Sequence, residues 1–433
     1  MTATVSKYLE RWAEPAPLAL VERLPRYHAA LTVPLLGESS EFLAGYAEAA
    51  RNARGRVLVI ALVNATAETA PELRARNAEL LQELAGRAQR LSAEAWLEPR
   101  PDFDLLLLDR SSPGSELPRR QGVGLARKIA ADLALALFAR GSLELPFMFM
   151  TDADTTLPGD YFARAERERT SKAGALLYPF QHVPGEAHAL HHATQTYEAL
   201  LRYHVLGLGF AGSPYAYHSV GSTLAVRAEA YAIVRGAPKR TAGEDFYLLD
   251  KLAKVSPLRV LSGAPIAITS RRSARVPFGT GPRVERILDE EQTLVASPTA
   301  FFALKQLLIG IDQVAASGVP AALTEALEAL PPALGSAARL AAESAGLEGA
   351  LREALAQVGQ GNLRRRLHTW FDALRTLRFL HALRDAGTPD VTLDQALASA
   401  PFCPPRASTL DETLARLRRA EHALPRELGP ALL

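Results

Sequence analysis

The feature that most constrains this chain is a series of short, unbroken apolar runs separated by stretches of helical period. Between about Tyr27 and Thr269 the runs are HAALTVPLL (28–36), RVLVIALVN (56–64), DLLLLD (104–109), PFMFMTDAD (146–154), GALLYPF (174–180) and PIAITS (265–270). Segments between them, such as Ala70–Ala93 and Gly124–Phe138, repeat apolar residues at helical spacing. Strand, helix, strand in succession predicts a mostly parallel sheet with helices on its faces. Runs without polar alternation suit strands that are buried on both sides. The expected fold class is therefore α/β, a mostly parallel sheet flanked by helices.

After about Pro282 the strand pattern stops. Ala, Leu, Arg and Glu recur at helical spacing, punctuated at Gly318–Pro320, Pro331–Pro332, Gly359–Gly361 and Gly387–Pro389, which predicts an all-helical C-terminal region of several short helices. The first 25 residues read as a short helical extension. The expected division is thus 1–25, 26–285 and 286–433. The basic run Asn362–Arg366 reads as a solvated helix face, with an acidic-lipid or acceptor contact as the alternative.

Composition narrows the function classes. The chain has 49 basic and 47 acidic side chains, a formal charge of +2, whereas a bulk nucleic-acid binder carries a clustered basic excess. No nucleic-acid partner is expected. One cysteine, Cys403, leaves no internal disulfide and no CxxC metal site. The N-terminal stretch has charges inside its apolar segments and so lacks the core of a signal peptide. No uncharged apolar run approaches the length of a membrane span. The expectation is a cytoplasmic protein without a transmembrane segment. Peripheral membrane contact and a homo-oligomer stay open.

The strongest chemical signal is PFMFMTDADTTLPGDYF. An apolar strand runs directly into Asp152 and Asp154, and ligands of open α/β sheets bind beyond the carboxyl ends of strands. Two carboxylates so placed repel one another unless a cation compensates. A hard divalent ion does so and also bridges phosphates. The plainer reading is helix capping or turn formation. A second acidic pair, Glu244 and Asp245 in GEDFYLLDKL, opens a helical stretch. It reads as a dipole partner or as a general base for an acceptor hydroxyl, with Asp245 preferred.

Three further segments carry weaker signals. GVGLARK (122–128) has Arg127 where a dinucleotide fingerprint needs glycine, so a nicotinamide site is rejected; an anion contact at the helix start, beside Arg127 and Lys128, is not. The loop SRRSARVPFGTG holds Arg271, Arg272 and Arg275, either solvated or meeting phosphate. YHSVGST (217–223) places Ser222 in a tight segment near a ligand. It offers His218 as a third metal ligand or as an ordinary structural histidine. His188, His191 and His192 share a helix face, but a zinc site there is disfavoured.

Taken in order, LTVPLLGESSEFL, VLVIALVNAT, GVGLARK, TDADTTLP, GSTLAVRAEAY and GEDFYLLDKL resemble the nucleotide-sugar-dependent glycosyltransferases of the GT-A fold, in the broad family 2 type. The resemblance covers roughly residues 27–285. It implies a metal-dependent transfer, with Mg2+ or Mn2+, of a sugar from a nucleoside diphosphate sugar to a hydroxyl acceptor. Carried over by position, Glu38 lies near the nucleotide, Asn64 meets the base or ribose, and Arg127 lies near the donor. Asp152 touches ribose or sugar, Asp154 binds the metal, and Asp245 is the base of inverting members. Arg271, Arg272 and Arg275 fall in a diphosphate-contacting loop. The QxxRW signature of processive members is absent, which points away from polymer synthesis. The competing readings are a nucleotidyltransferase that forms the sugar nucleotide and a non-catalytic binding protein on the same fold.

Overall fold

The computed structural model describes residues 2–185, 187–272, 279–290, 292–357 and 362–433. The chain divides into two compact units. The first comprises residues 1–191 and 219–283, the second residues 192–218 and 284–433.

The first unit is built on a mixed sheet. Its strands are β1 (Ala29–Leu35), β2 (Val57–Asn64), β3 (Gln89–Ser92), β4 (Ala95–Pro99), β5 (Asp104–Arg110), β6 (Phe147–Met150), β8 (Ala175–Leu177), β10 (Leu224–Arg227) and β11 (Leu258–Val260). Across this unit they lie in the order β11-β8-β10-β6-β1-β2-β5-β4-β3. The centre, β6-β1-β2-β5, is parallel throughout. All eight residues of β2 are buried, as its uninterrupted VLVIALVN run requires of a strand covered on both faces. The flanks bring in antiparallel pairs: β10 runs against both β6 and β8, β3 and β4 form a hairpin onto β5, and β11 closes the other edge parallel to β8. A smaller sheet joins β7 (Thr155–Thr156), β12 (Ile266–Thr269) and β9 (Phe180–Val183) in the order β7-β12-β9.

The helices of this unit are α1 (Ala3–Arg11), α2 (Pro15–Leu18), α3 (Ala44–Arg51), α4 (Pro71–Ala85), α5 (Gly122–Arg140), α6 (Tyr161–Arg167), the start of α7 (His188–Ala211), α8 (Ala228–Ile233) and α9 (Glu244–Val255). The helix expected over 70–93 ends at Ala85, and residues 89–92 form β3 instead. Only Leu91 of that strand is buried, so its sequence carries no apolar run to announce it. α5 is the central helix. Fourteen residues from Gly124 to Leu137 are all buried, and among them are three charges, Arg127, Lys128 and Asp132. The N-terminal extension belongs to this unit. Tyr8 of α1 is buried and donates a 2.6 Å hydrogen bond to Asp132.

The second unit is helical, with the segment 192–218 inserted into it from the middle of the sheet domain's sequence. Its longest element besides α7 is Pro298–Ser317, which starts on Pro298 behind a Ser297 cap and stops at Gly318 in a left-handed conformation. By length and composition this helix is long and apolar enough to cross a membrane. In the unit its apolar side forms core instead, with Phe301, Leu304, Leu307, Ile311 and Val314 buried. Gly207 explains why 192–218 groups with these helices: a side chain there would meet the Phe301 ring at 2.6 Å, so the glycine permits close packing. Two-residue strands, Leu294–Val295 and Val391–Thr392, pair antiparallel in this mainly helical unit.

Candidate functional site

The acidic pair stands where β6 ends. Phe147–Met150 are buried and pair with β1 in parallel, so the chain emerges at the carboxyl rim of the sheet with Thr151 and Asp152. Backbone and hydroxyl groups fix the turn. Thr151 Oγ1 donates to the Ser222 carbonyl at 3.1 Å and shares a 2.8 Å hydrogen bond with Thr155 Oγ1. The Asp152 carbonyl accepts from Thr155 Oγ1 at 2.8 Å and from the buried Tyr46 hydroxyl at 2.9 Å. The Asp154 carbonyl accepts from the Thr269 N–H at 2.8 Å. The two carboxylates are held in place through their backbone, which leaves the side chains for other partners.

Arg127 is the hub of the site. Its guanidinium donates to Glu244 at 2.8 Å, to Asp152 at 2.5 Å and to the Gly221 carbonyl at 3.2 Å. Arg127 and Glu244 are both buried, while the Asp152 side chain is 34% exposed. A guanidinium keeps its charge when buried, so its lost hydration must be offset by carboxylates, and Asp152 and Glu244 do so here. Asp245 sits next to this pair at the start of α9. Burial pushes its carboxyl up to about 7, with the charge of Glu244 adding to the rise and Arg127 opposing it. Gly221 lies between the groups: a side chain there would meet Arg127 at 3.0 Å and Asp245 Oδ2 at 3.1 Å. The two acidic residues of GEDF therefore differ. Glu244 is spent on Arg127, and Asp245 is a carboxyl near neutrality.

Asp154 faces a second arginine. Arg271 Nε donates to Asp154 at 2.7 Å, and its two terminal nitrogens reach Glu38 at 2.7 and 2.8 Å. Burial raises the Asp154 carboxyl above the ordinary range. Asp152 and Glu38 push the same way, and Arg271 opposes them. A positive group is thus gripped by two carboxylates at the sheet rim. Hard oxygen donors of this kind could hold Mg2+ or Mn2+; in the structure they hold the Arg271 guanidinium. Among the described residues no group of three or more His, Cys, Asp or Glu side chains gathers as a metal site.

Asn64 ends β2, and its amide is oriented by chemistry: Nδ2 donates to the Leu35 carbonyl at 2.8 Å. A buried residue that sequence reasoning missed, Asn77 of α4, ties three strand ends together. It accepts from the Gly37 N–H at 2.8 Å and donates to the Asn64 carbonyl at 2.9 Å and to Ser111 at 2.8 Å. Tyr46 was missed as well, and Thr155 and Gly221 were read only as members of TDADTTLP and YHSVGST, without these contacts. A buried Asn at the inner face of an amphipathic helix was the one signal visible beforehand.

The structure brings together Glu38, Arg127, Asp152, Asp154, Glu244, Asp245 and Arg271. Ser222 is buried beside them and acts through its carbonyl on Thr151. Arg272 is exposed, and Arg275 lies outside the described residues. His218 belongs to the second unit, where its Nε2 pairs with Glu421 at 2.8 Å; the structure does not gather it into a metal-holding set with Asp152 and Asp154. His191 Nδ1 hydrogen-bonds Ser270 Oγ at 2.9 Å.

No protein-family model matches the chain, and the search of curated proteins returns no match. Among solved structures, it is similar to S. aureus TarS 1–349 in complex with UDP-GlcNAc, with a TM-score of 0.36 and 12% identity over 83% of this chain and 90% of that one. It is also similar to the mannosyltransferase PcManGT from Pyrobaculum calidifontis in complex with GDP-Man and Mn2+, with a TM-score of 0.33 and 17% identity over 86% of this chain and 92% of that one.

Proposed function

We propose that this protein is a glycosyltransferase of the GT-A type that moves one sugar from a nucleoside diphosphate sugar to a hydroxyl acceptor. The observation that carries the reading is the pair of arginine-bridged carboxylate sets at one sheet rim. Asp154 and Glu38 grip a cation, and Asp152 is joined through Arg127 to the α9 start where Asp245 titrates near neutrality. In the reaction the acceptor hydroxyl oxygen forms a bond to the anomeric carbon. The bond from that carbon to the diphosphate breaks, and the nucleoside diphosphate leaves with the electron pair. Asp245 takes the hydroxyl proton, as a general base whose pKa sits near the working pH. Arg271 lies where it can donate to the departing diphosphate once Asp154 has another cation.

The metal reading is part of the proposal. Asp154, with Glu38 or Asp152, would hold Mg2+ or Mn2+, which supplies neutralisation of the diphosphate charge when bound. Titration calorimetry with uridine and guanosine diphosphate sugars, with and without Mn2+, tests the whole. Binding of one donor that requires Mn2+ and is lost in Asp154→Asn, with the fold intact, is the expected result. Donor binding unchanged by the substitution removes Asp154 from its role. Release of pyrophosphate from a nucleoside triphosphate would replace the reading with a nucleotidyltransferase.

A further inference from the structure

One face of the first unit carries positive charge that the protein itself leaves unmatched. Some arginines of this unit meet carboxylates, Arg51 with Asp102, Arg110 with Glu94 and Arg259 with Glu168. Those around the end of α8 and the outer side of α9 do not, although Lys239, next to Arg240, pairs with Glu14 at 2.5 Å. Arg235, Arg240 and Lys251 are exposed. Among the described residues none of these three side chains makes a hydrogen bond or ion pair. Arg235 lies over the Trp12 ring at 5.1 Å and Arg240 over the Tyr247 ring at 3.8 Å. The acid nearest in sequence, Asp250, is taken by Lys254 at 2.7 Å. Arg120 joins the group, since its carbonyl accepts from Thr241, the neighbour of Arg240. Partial burial holds the Lys251 ammonium below its usual range, and the charges of Arg240 and Arg235 lower it further while Asp250 opposes them.

Two more observations mark this face. Among the described residues Arg120 and Arg235 are the non-glycine residues with left-handed backbone, both at φ 63°, a conformation that linear side chains hold at a cost. Exposed aliphatic groups sit among the cations. Ile233, two residues before Arg235, is 50% exposed, and Val255, one helical turn beyond Lys251, is 37% exposed. Unpaired cations repel one another, so a face that keeps them is complementary to an anionic surface. Aliphatic groups interleaved with the charges suit a layer with an apolar interior under its headgroups, rather than the hydrated phosphates of a nucleic acid.

We propose that this face docks the protein on anionic membrane, with Arg120, Arg235, Arg240 and Lys251 against acidic lipid headgroups and Ile233 and Val255 in the shallow apolar layer. The inference stands apart from the glycosyl-transfer reading, because none of these residues belongs to the acidic site.

Sedimentation of the full chain with lipid vesicles tests it. Binding is expected to vesicles that contain phosphatidylglycerol, weakening with salt, and not to vesicles of phosphatidylcholine alone. The double variant Arg235→Glu, Lys251→Glu changes the charge by four. At about fivefold per charge near an anionic surface, its partition should fall on the order of 100-fold or more. Its thermal midpoint should fall only slightly, since the ring contact of Arg235 with Trp12 is lost but no ion pair is, and position 235 keeps a linear side chain. Ile233→Ser with Val255→Ser should weaken vesicle binding severalfold without altering salt sensitivity. Equal binding to neutral vesicles, native-like binding by the charge-reversed variant, or tighter binding to duplex DNA than to anionic vesicles would each overturn the proposal.

Discussion

Arg127 and Lys128 are neighbours on α5, both buried, and they serve two different charge clusters. Lys128 donates to Asp132 at 2.8 Å and to the Tyr8 hydroxyl at 2.5 Å. Asp132 also accepts from Tyr8, from Tyr231 and from the Glu14 N–H. Every group there is satisfied, and the Asp132 side chain is wholly shut from solvent. The Arg127 cluster is satisfied on one side by Glu244 and left open on the other, where Asp152 is a third exposed. A closed network of this kind anchors α1 to α5. An open one keeps charged groups at the rim that a ligand can engage. Burial of charge alone does not distinguish the two clusters; solvent access to one member does.

The largest predicted contrast follows from cutting each cluster at its carboxylate. Asp245→Asn removes the proposed base and should lower turnover by about 10²–10⁴-fold. Stability should be retained or improved above neutrality. The sign follows from the raised value, about 7 against 3.8 ordinarily. For such a carboxyl the stabilisation is fully present below its unfolded value and is lost as pH rises through about 7, so the ionised form is the unfavourable one. The native enzyme's kcat/KM should accordingly climb with pH through about 7, and the variant's residual rate should not. A native profile flat from pH 5 to 8 would remove Asp245 as the base.

Asp132→Asn is the opposite case. It leaves buried Lys128 with only Glu14, 4.0 Å away and shared with Lys239, as countercharge, which costs up to about 3–5 kcal/mol. Denaturant unfolding should report that loss, while turnover per folded molecule stays close to native. Loss of turnover without loss of stability would show that the Lys128 cluster is coupled to the rim and that the distinction fails.

The sheet and the acidic pair were legible because burial on two faces forces continuous apolar runs, and β1, β2, β5 and β6 all show them. β3, β4, β10 and β11 were not foreseen. They are short, and their pairing is set by tertiary neighbours rather than by pattern. GEDF showed two acids at a helix start but not which one faces Arg127. That depends on α5 and α9 meeting, 117 positions apart in sequence. Arg271 was named for a diphosphate role; its grip on Asp154 and Glu38 joins loops 117 and 233 positions apart, and no local motif encodes such a contact.

Arg271 allows a smaller test of the open cluster. Its guanidinium neutralises Asp154 and Glu38, so a divalent ion must compete with it. Arg271→Gln removes the competitor and should tighten Mn2+ binding by the nucleotide-free protein, by about tenfold if one charge-assisted contact is released. Calorimetry with metal alone reads this directly. Weaker metal binding in the variant would mean that Arg271 orients the carboxylates rather than competing for them.

The finest cut is Gly221→Ala. One methyl group would lie 3.0 Å from the Arg127 guanidinium and 3.1 Å from the Asp245 carboxylate, closer than relaxed contact allows. Neither group needs to leave, but both must shift by a few tenths of an ångström. Gly221 has no left-handed backbone to preserve, so the fold should tolerate the change with a small loss of stability. The expected cost falls on geometry: a severalfold drop in kcat with donor affinity nearly unchanged, because the displaced atoms belong to the proton-accepting side of the hub. The reverse pattern, donor affinity falling with kcat preserved, would assign Gly221 and the Arg127 contact beside it to donor binding and place the boundary between the two roles elsewhere.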